Sequence, residues 1–272
     1  MKYVISYRGG VGDVLLAYLR EGSEAGYVAA LRGREPGAFV RCALMATTPD
    51  ACNLFAGGAT FDELVARPWD GDGLRFAAEA FAGFAQVPRS GEWRRPWLPL
   101  HEDELALSND LEAGGGFVAL HPYAGTPNRR LWGNVDVPEI VDAIAVAGNR
   151  VVVLGGSCSR RQGRGTVEEL TLHESCTIAG NRVLNLVGRA SLRLQAHLAS
   201  RARRFVGSFS AFFCGALACG VPSFVVAPPD LRDFFAADHP TYGRLAARDG
   251  SPIAYFGEGG VPERVGAWCA QP

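Results

Sequence analysis

The chain has 272 residues, of which 48% are hydrophobic and 20% are charged, and its formal net charge at pH 7 is −1. This composition is ordinary for a globular protein, and the balanced charge excludes a general attraction to nucleic acid or to an anionic membrane. Apolar runs all fall short of the roughly 18 residues that a membrane-spanning helix needs, and the first residues lack the pattern of a signal peptide. We therefore expect a cytoplasmic protein with no transmembrane segment.

Seven cysteines are scattered through apolar runs, with no Cys-x-x-Cys pair and no histidine at a metal-ligand spacing. This usage predicts reduced, buried thiols and no structural metal. Lys2 is the only lysine among 27 basic residues. Contacts to a phosphate group would consequently come from the planar guanidinium of arginine.

In the first half, short apolar runs alternate with segments of helical character. A β-run over 4–7 is followed by the glycine-rich turn Gly9–Asp13 and by a buried helix start over 14–19. The pattern then predicts a strand over 39–46, a helix over 50–55, a strand over 61–66 and a helix over 74–86. Strands that alternate with helices indicate a parallel sheet covered on both faces.

The composition changes between residues 87 and 116, where prolines, an Arg/Trp cluster, an acidic segment and three consecutive glycines follow one another. We predict a last strand of the first unit over 97–100, a bridging helix over 102–111 and a linker. A second α/β run then begins, with strands expected over 117–121, 150–155, 204–206 and 223–227 and helices over 138–147 and 212–219. The predicted domains are residues 1–112 and 113–272, which would face a cleft where a small molecule can bind.

The most informative segment is a strand–turn–helix–strand unit over 204–227. Its turn, Gly207–Ala211, lies at the N-terminus of the predicted helix. Free backbone N–H groups and the positive end of the helix dipole gather at such a terminus and favour an anion. The residues that we expect to bind a phosphate-bearing ligand are Ser208, Phe209, Ser210 and Ala211.

The stretch over 185–229 resembles the donor-binding half of the ADP-heptose:lipopolysaccharide heptosyltransferase family (glycosyltransferase family nine). Members of that family read Asn-Leu-x-Gly-x-x-Ser-Leu, then a helix, then Val-Gly-Asn-Asp-Ser-Gly-Pro-Met-His-Leu-Ala-Ala-Ala-Leu-Gly-Val-Pro. The residues in register are Asn185, Leu186, Gly188, Ser191, Leu192, Val206, Gly207, Ser210, Ala216, Ala218, Gly220, Val221 and Pro222. The Asp, Gly and His that surround the donor diphosphate in the family are replaced here by Phe209, Ala211 and Cys214. The resemblance implies a GT-B fold, in which two Rossmann-like domains face a cleft, with a reduced N-terminal domain.

Asp13 is the leading catalytic candidate because it follows a glycine-rich turn at a strand end, where domains of this type point their loops into the cleft. Its carboxylate could take the proton from an acceptor hydroxyl, or it could cap the helix that follows. The Gly12-Asp13 pair matches a Gly-Asp pair in the first loop of the family, whose aspartate is taken as the general base. The resemblance accordingly makes Asp13 the base and places Gly10 and Gly12 on the acceptor side.

The segment over 121–132 is predicted to hold the donor diphosphate. The resemblance assigns Arg130, with Arg129 beside it, to the charge of the departing nucleotide, and Thr126 adds a hydroxyl or amide donor. A solvated arginine pair in a surface loop is the alternative. His121, at the start of this segment, is expected to be a satisfied histidine at a strand end and not a catalyst.

Gly155 and Gly156 close the predicted strand over 150–155. In this architecture they would line the base or the ribose, because glycine allows close backbone approach, while a plain tight turn is an equal alternative. The rings of Phe209, Phe212 and Phe213 could stack on the nucleobase or sugar, or they could fill space in the core. We expect two of these three rings to belong to the core.

These assignments predict an inverting, metal-independent glycosyltransferase that needs no cofactor and binds no nucleic acid. Its donor would be a nucleotide-diphospho-sugar of the ADP-heptose type, and its acceptor a glycan, a small molecule or a peptide; peripheral proximity to a membrane stays open. Two alternatives remain. One is a catalytically degenerate sugar-nucleotide-binding or scaffolding protein, which the replacements Phe209 and Cys214 motivate. The other is a nucleotide-sugar epimerase or hydrolase of the same fold.

Overall fold

The computed structural model describes residues 1–46, 49–55, 60–68, 79–122, 137–155, 182–227, 229–235, 252–255 and 257–272. Within these residues the strands form two sheets, and every strand pair is parallel. The α/β class with parallel sheets that the sequence predicts is therefore confirmed. In the described part of the chain, no helix is long and apolar enough to cross a bilayer.

The first sheet has the strand order β3-β2-β1-β4. Because side chains alternate between the two faces of a strand, Tyr3, Ile5 and Tyr7 of β1 share one apolar cluster with Val14 and Leu15 of the following helix. A 3₁₀ helix over Glu24–Tyr27 leads into the second helix, and another covers Pro49–Leu54. The elements of this half are β1 (Lys2–Gly9), α1 (Val11–Leu19), α2 (Val28–Arg34), β2 (Phe39–Ala46), β3 (Glu63–Pro68) and β4 (Ala85–Gln86).

Helix α3 (Glu102–Ala113) connects the first sheet to the second. The second sheet has the strand order β10-β9-β8-β5-β6-β7, which is the order of a doubly wound α/β sheet. A 3₁₀ helix over Pro229–Phe235 follows β9. The elements of this half are β5 (Val118–His121), α4 (Val137–Val146), β6 (Val151–Val153), β7 (Val183–Asn185), α5 (Leu192–Arg201), β8 (Arg204–Ser208), α6 (Ala211–Ala218), β9 (Ser223–Ala227), β10 (Ile253–Tyr255) and α7 (Val261–Cys269).

The second sheet has an apolar layer on each face. Helices α4 and α7 pack together on one face, over the alternate strand residues Val118 and Val206. Helices α5 and α6 cover the other face, where Phe205 lies in the same cluster as Phe213 of α6. This second cluster continues through α1, which packs against α6, to Ile5 of the first sheet. One apolar core therefore joins the two sheets.

Helix α5 is buried along most of its length although its sequence is polar. Eight consecutive residues, from Arg193 to Ser200, are buried. Polar groups are tolerated in such a place when they are bonded. The Arg193 guanidinium lies 3.0 Å from the Glu104 carboxylate of α3, and the Ser200 hydroxyl donates to the carbonyl of Ala196 at 2.8 Å. The bridging helix and the helix layer of the second sheet are thus joined by a partly buried ion pair.

Most of the predicted elements are found, and two predictions are wrong. The chain over 97–100 forms no strand, and residues 85–86, predicted as helix, form β4 instead. Prolines at 96 and 99 remove two N–H donors that a strand ladder would need. The extended segment is held by other bonds: the Trp97 carbonyl accepts from the Tyr18 hydroxyl at 3.2 Å.

Candidate functional site

The carboxyl ends of the strands carry most of the predicted site. In the second sheet β5 and β8 are neighbours, and the chain continues from β5 to β6 on one side and from β8 to β9 on the other. Such a reversal of strand order opens a crevice at the carboxyl edge, where doubly wound sheets bind ligands. His121 ends β5 and Ser208 ends β8, so both lie at this edge.

Helix α6 begins directly after β8, and its N-terminus lies at the same edge. Ser210 is the N-cap residue, and its Oγ accepts from the N–H of Phe213 at 3.4 Å. The hydroxyl hydrogen of a capping serine remains available to donate to another acceptor. The first turn contains no acidic side chain. This helix end therefore keeps its positive character and favours an anion.

The residues predicted to bind the donor at this helix end differ in their exposure to solvent. Phe209, Ser210 and Ala211 are partly exposed, whereas Ser208 is only 1% exposed. Phe212 and Phe213 are buried, which confirms that two of the three phenylalanines belong to the core. The contacts of these residues with a phosphate group stay predictions. Residues 209–211 form the partly exposed surface on which a phosphate could bind.

The N-terminus of α1 is capped by a side chain of the same helix, that of Asp13. Gly9 has a φ of 113°, which favours glycine, and a Cβ at this position would lie 2.6 Å from Oδ2 of Asp13. Oδ2 accepts from the Gly10 N–H at 2.9 Å, while Oδ1 bonds with none of the described residues. The side chain of Asp13 is exposed. One carboxylate oxygen therefore caps the helix, and the other faces solvent, where the predicted role as base would need it.

The two helix N-termini contact each other through Gly12. A Cβ on this glycine would lie 3.2 Å from the Cα of Ala211 and 3.1 Å from Sγ of Cys214. Even a methyl group here would require the Ala211 backbone and the Cys214 side chain to give way by a few tenths of an ångström. The structure therefore brings the loop assigned to the acceptor into direct contact with the helix assigned to the donor. Cys214, which stands where the resembling family has His, forms part of this contact.

His121 contacts the first turn of α6 from the neighbouring strand. It is 7% exposed, and its ring meets the ring of Phe212 edge-on with 4.8 Å between centroids. Burial lowers the pKa of His121 to about 3. The imidazole is therefore neutral at physiological pH and adds no positive charge beside the helix end.

Gly155 follows β6 and is buried. Its N–H donates to Oε1 of Gln195 at 2.6 Å, and its carbonyl accepts from the N–H of Gly188 at 3.0 Å. Gln195 was not among the residues predicted from the sequence. No local signal in the sequence pointed to it, because its bonding partner lies 40 residues away.

Four of the predicted donor-binding residues, Thr126, Arg129, Arg130 and Gly156, lie outside the described residues. Their contacts with a diphosphate, a base or a ribose stay predictions. The described part of the site consists of two loops in contact, Gly9–Asp13 and Ser208–Ala211, with Gly155 at the end of a strand adjacent to β5. This arrangement offers one carboxylate and one helix N-terminus with no acidic side chain in its first turn at a single location.

Solved structures share this fold at low sequence identity. The structure of E. coli ADP-heptose LPS heptosyltransferase II matches with a TM-score of 0.56 and 14% identity, over 98% of this chain and 97% of that chain. A glycosyl transferase family 9 protein from Veillonella parvula DSM 2008 matches with a TM-score of 0.54 and 12% identity, over 93% and 85% of the two chains. No family model and no curated protein matches the sequence. The structural likeness confirms an α/β fold with parallel sheets like that of these heptosyltransferases.

Proposed function

We propose that this protein is an inverting, metal-independent glycosyltransferase. It would move a sugar from a nucleotide-diphospho-sugar of the ADP-heptose type to a hydroxyl of a glycan, small-molecule or peptide acceptor, in the cytoplasm. The observation that carries the proposal is the contact of Gly12 with Ala211, which places a carboxylate-bearing helix start beside one whose first turn has no acidic side chain. The shared fold with ADP-heptose LPS heptosyltransferase II adds support. In this proposal residues 1–112 and 113–272 form two domains that face a cleft.

The donor diphosphate would lie at the N-terminus of α6. The hydroxyl of Ser210 and the first N–H groups of the helix would donate to its oxygens, and the guanidinium groups of Arg129 and Arg130 would offset the remaining charge. These groups stabilise the charge that develops on the diphosphate as the bond to the sugar breaks. A helix end and two arginines supply this stabilisation with no divalent ion.

The acceptor hydroxyl would lie beside Asp13. Oδ1 takes the hydroxyl proton while the acceptor oxygen attacks the anomeric carbon, and the bond from that carbon to the diphosphate oxygen breaks. A single displacement of this kind inverts the configuration of the anomeric carbon. The bond from the Gly10 N–H to Oδ2 holds the carboxylate in place for this transfer.

The first experiment is a titration of the protein with ADP, GDP, UDP, dTDP and CMP, followed by calorimetry or thermal shift, with and without EDTA. A ligand that binds only the folded state raises the melting temperature of the protein, and the rise grows with the logarithm of the ligand concentration relative to its Kd. We expect stabilisation by one nucleotide, unchanged by EDTA. The corresponding activated sugar is then incubated with the protein, and the products are separated.

The products distinguish the proposed reaction from its alternatives. A glycosylated acceptor with inverted anomeric configuration supports the transferase. Release of free sugar or of an isomer, without an acceptor, would indicate the hydrolase or epimerase. Nucleotide binding without any turnover would indicate the degenerate binding protein, and no binding of any of the five nucleotides would overturn the proposed donor site.

A further inference from the structure

Gln195 occupies an unusual place for an amide side chain. It is 0% exposed, on the buried helix α5, and it therefore cannot contact a ligand itself. Its Oε1 accepts from the N–H of Gly155 at 2.6 Å, and its Nε2 donates to the carbonyl of Ala190 at 3.0 Å. One side chain thus links the glycine turn after β6 to the segment that precedes α5.

The backbone N–H of Gly155 has its bonding partner in this side chain. Leu154, one residue earlier, still bonds within the sheet, since its N–H donates to the carbonyl of Leu120 at 2.8 Å. At Gly155 the hydrogen-bond ladder of the sheet ends, and the N–H of Gly155 donates to the side-chain oxygen of Gln195. A buried N–H that loses its partner is costly, so the turn would have to move or admit water.

We propose that Gln195 is a positioning residue that fixes the Gly155 turn against the base or ribose of the donor. This inference rests on the proposed function, because it assigns the turn to the nucleoside part of a nucleotide-sugar. The Gln195 amide acts through the backbone of Gly155 and leaves the diphosphate contacts at α6 untouched. Its effect should therefore fall on the nucleoside and not on the phosphates.

The test compares two ligands that share only the diphosphate. Calorimetry gives the Kd of the nucleoside diphosphate that stabilises the wild-type protein and the Kd of inorganic pyrophosphate. Gln195→Met keeps the size of the side chain and removes both hydrogen-bonding groups. We expect it to raise the Kd of the nucleoside diphosphate about tenfold and to change the Kd of pyrophosphate less than about twofold.

Ser200→Ala is the matched control. It removes another buried hydrogen bond of the same helix, from the Ser200 hydroxyl to Ala196, and does not touch the Gly155 turn. We expect it to leave the ratio of the two Kd values unchanged. A merely structural role of Gln195 would weaken both ligands alike, as would any general loosening of α5.

Hydrogen exchange provides a second measurement, which needs no variant. Saturation of the wild-type protein with the nucleoside diphosphate should slow exchange of the Gly155 amide, and saturation with pyrophosphate should not. This comparison decides the case if Gln195→Met fails to fold. Equal changes for both ligands, or no change for either, would overturn the inference while nucleotide binding by the wild-type protein stands. Failure of the wild-type protein to bind any nucleotide would overturn the inference together with the proposed function.

Discussion

Two strand–turn–helix units of this molecule have the same order of elements and differ in which group caps the positive end of the helix. In β1–α1, the Asp13 carboxylate bonds to the Gly10 N–H and compensates the helix end from within. In β8–α6, a neutral hydroxyl, that of Ser210, caps the helix, and no acidic side chain follows. The first helix start therefore offers a proton acceptor, and the second is left to attract an external anion. Opposite chemistry arises at the starts of two helices, from an N3 carboxylate in α1 and an N-cap hydroxyl in α6.

The contact between these two helix starts makes the difference consequential. Gly12 brings them within van der Waals distance, so two positive helix ends lie side by side. The Asp13 carboxylate balances one of them, and a bound diphosphate would balance the other. The four predictions that follow test this division of roles, in order of decreasing expected effect.

Asp13→Asn should separate the two roles of the carboxylate. The amide oxygen can still accept from the Gly10 N–H, so the helix cap persists, but the side chain no longer takes a proton. We expect kcat for sugar transfer to fall by about 100- to 10,000-fold, with nucleotide affinity nearly intact. Asp13→Ala, the companion variant, should lose the same activity and in addition about 1 kcal/mol of stability. Full turnover by Asp13→Asn would remove the base assignment.

Acidification should destabilise the fold without strengthening the anion site. Burial lowers the pKa of His121 to about 3, and burial with the nearby Arg201 charge lowers that of His197 to about 4, below the usual value of about 6.5 in an unfolded chain. The unfolded chain therefore binds more protons below pH 6.5, and stability present above that pH is lost as the pH falls toward 4 and then 3.

Urea unfolding at pH 7 and at pH 5 measures this loss. His121→Leu, which lacks one of the two titrating groups, should lose less stability than the wild-type protein between these pH values. Because His121 stays neutral, nucleotide affinity should gain nothing from its protonation over the same interval. A rise in affinity that His121→Leu abolishes would show that a histidine charge does reach the end of α6.

Gly12→Ala should force the two helix starts apart. The new Cβ would lie 3.2 Å from the Cα of Ala211, and backbone cannot give way as a side chain does. We expect a loss of about 1–3 kcal/mol in the free energy of unfolding, together with a fall in kcat. Gly33→Ala is the control, since this exposed glycine of α2 has no atom within 4 Å of the added Cβ, and it should stabilise the protein slightly.

Ser210→Ala should have the smallest effect on stability and a selective effect on binding. Loss of an N-cap typically costs about 1 kcal/mol. Ser191→Ala removes the equivalent cap of α5, where Oγ accepts from the Leu194 N–H at 3.0 Å. Both variants should be destabilised, and only Ser210→Ala should weaken nucleotide binding in calorimetry. Equal nucleotide affinities in the two variants would contradict the role of α6 as the anion site.

The unit from β8 to β9 shows what the sequence allows a reader to predict. Its strand over 204–206, helix over 212–219 and strand over 223–227 were predicted within about two residues of the observed bounds. The signals are local there: short apolar runs, a Gly-Ser turn and a Gly-Val-Pro turn. The helix begins one residue earlier than predicted, so that its N-cap is Ser210 and not Ala211.

The contacts across the site were beyond that kind of prediction. Gly12 and Ala211 are 199 positions apart in the sequence, and their small size only permits a close approach without specifying the partner. The polar sequence of α5 would suit an exposed helix equally well. Its burial depends on Glu104 and on the Gly155 backbone, which other elements supply. Similarly, the missing strand over 97–100 reflects prolines in a segment that tertiary bonds hold extended.

The continuous apolar core has a consequence for motion. Leu15 of α1 and Phe213 of α6 belong to one buried cluster. The two sheets therefore cannot separate between α1 and α6 without exposing apolar surface to water. Motion between them should take the form of shear, a small sliding of packed helices, and not of a hinge. Substrates would then enter and leave through displacement of loops at the carboxyl edges, and the packing of α1 on α6 would set the distance between proton acceptor and anion in every turnover.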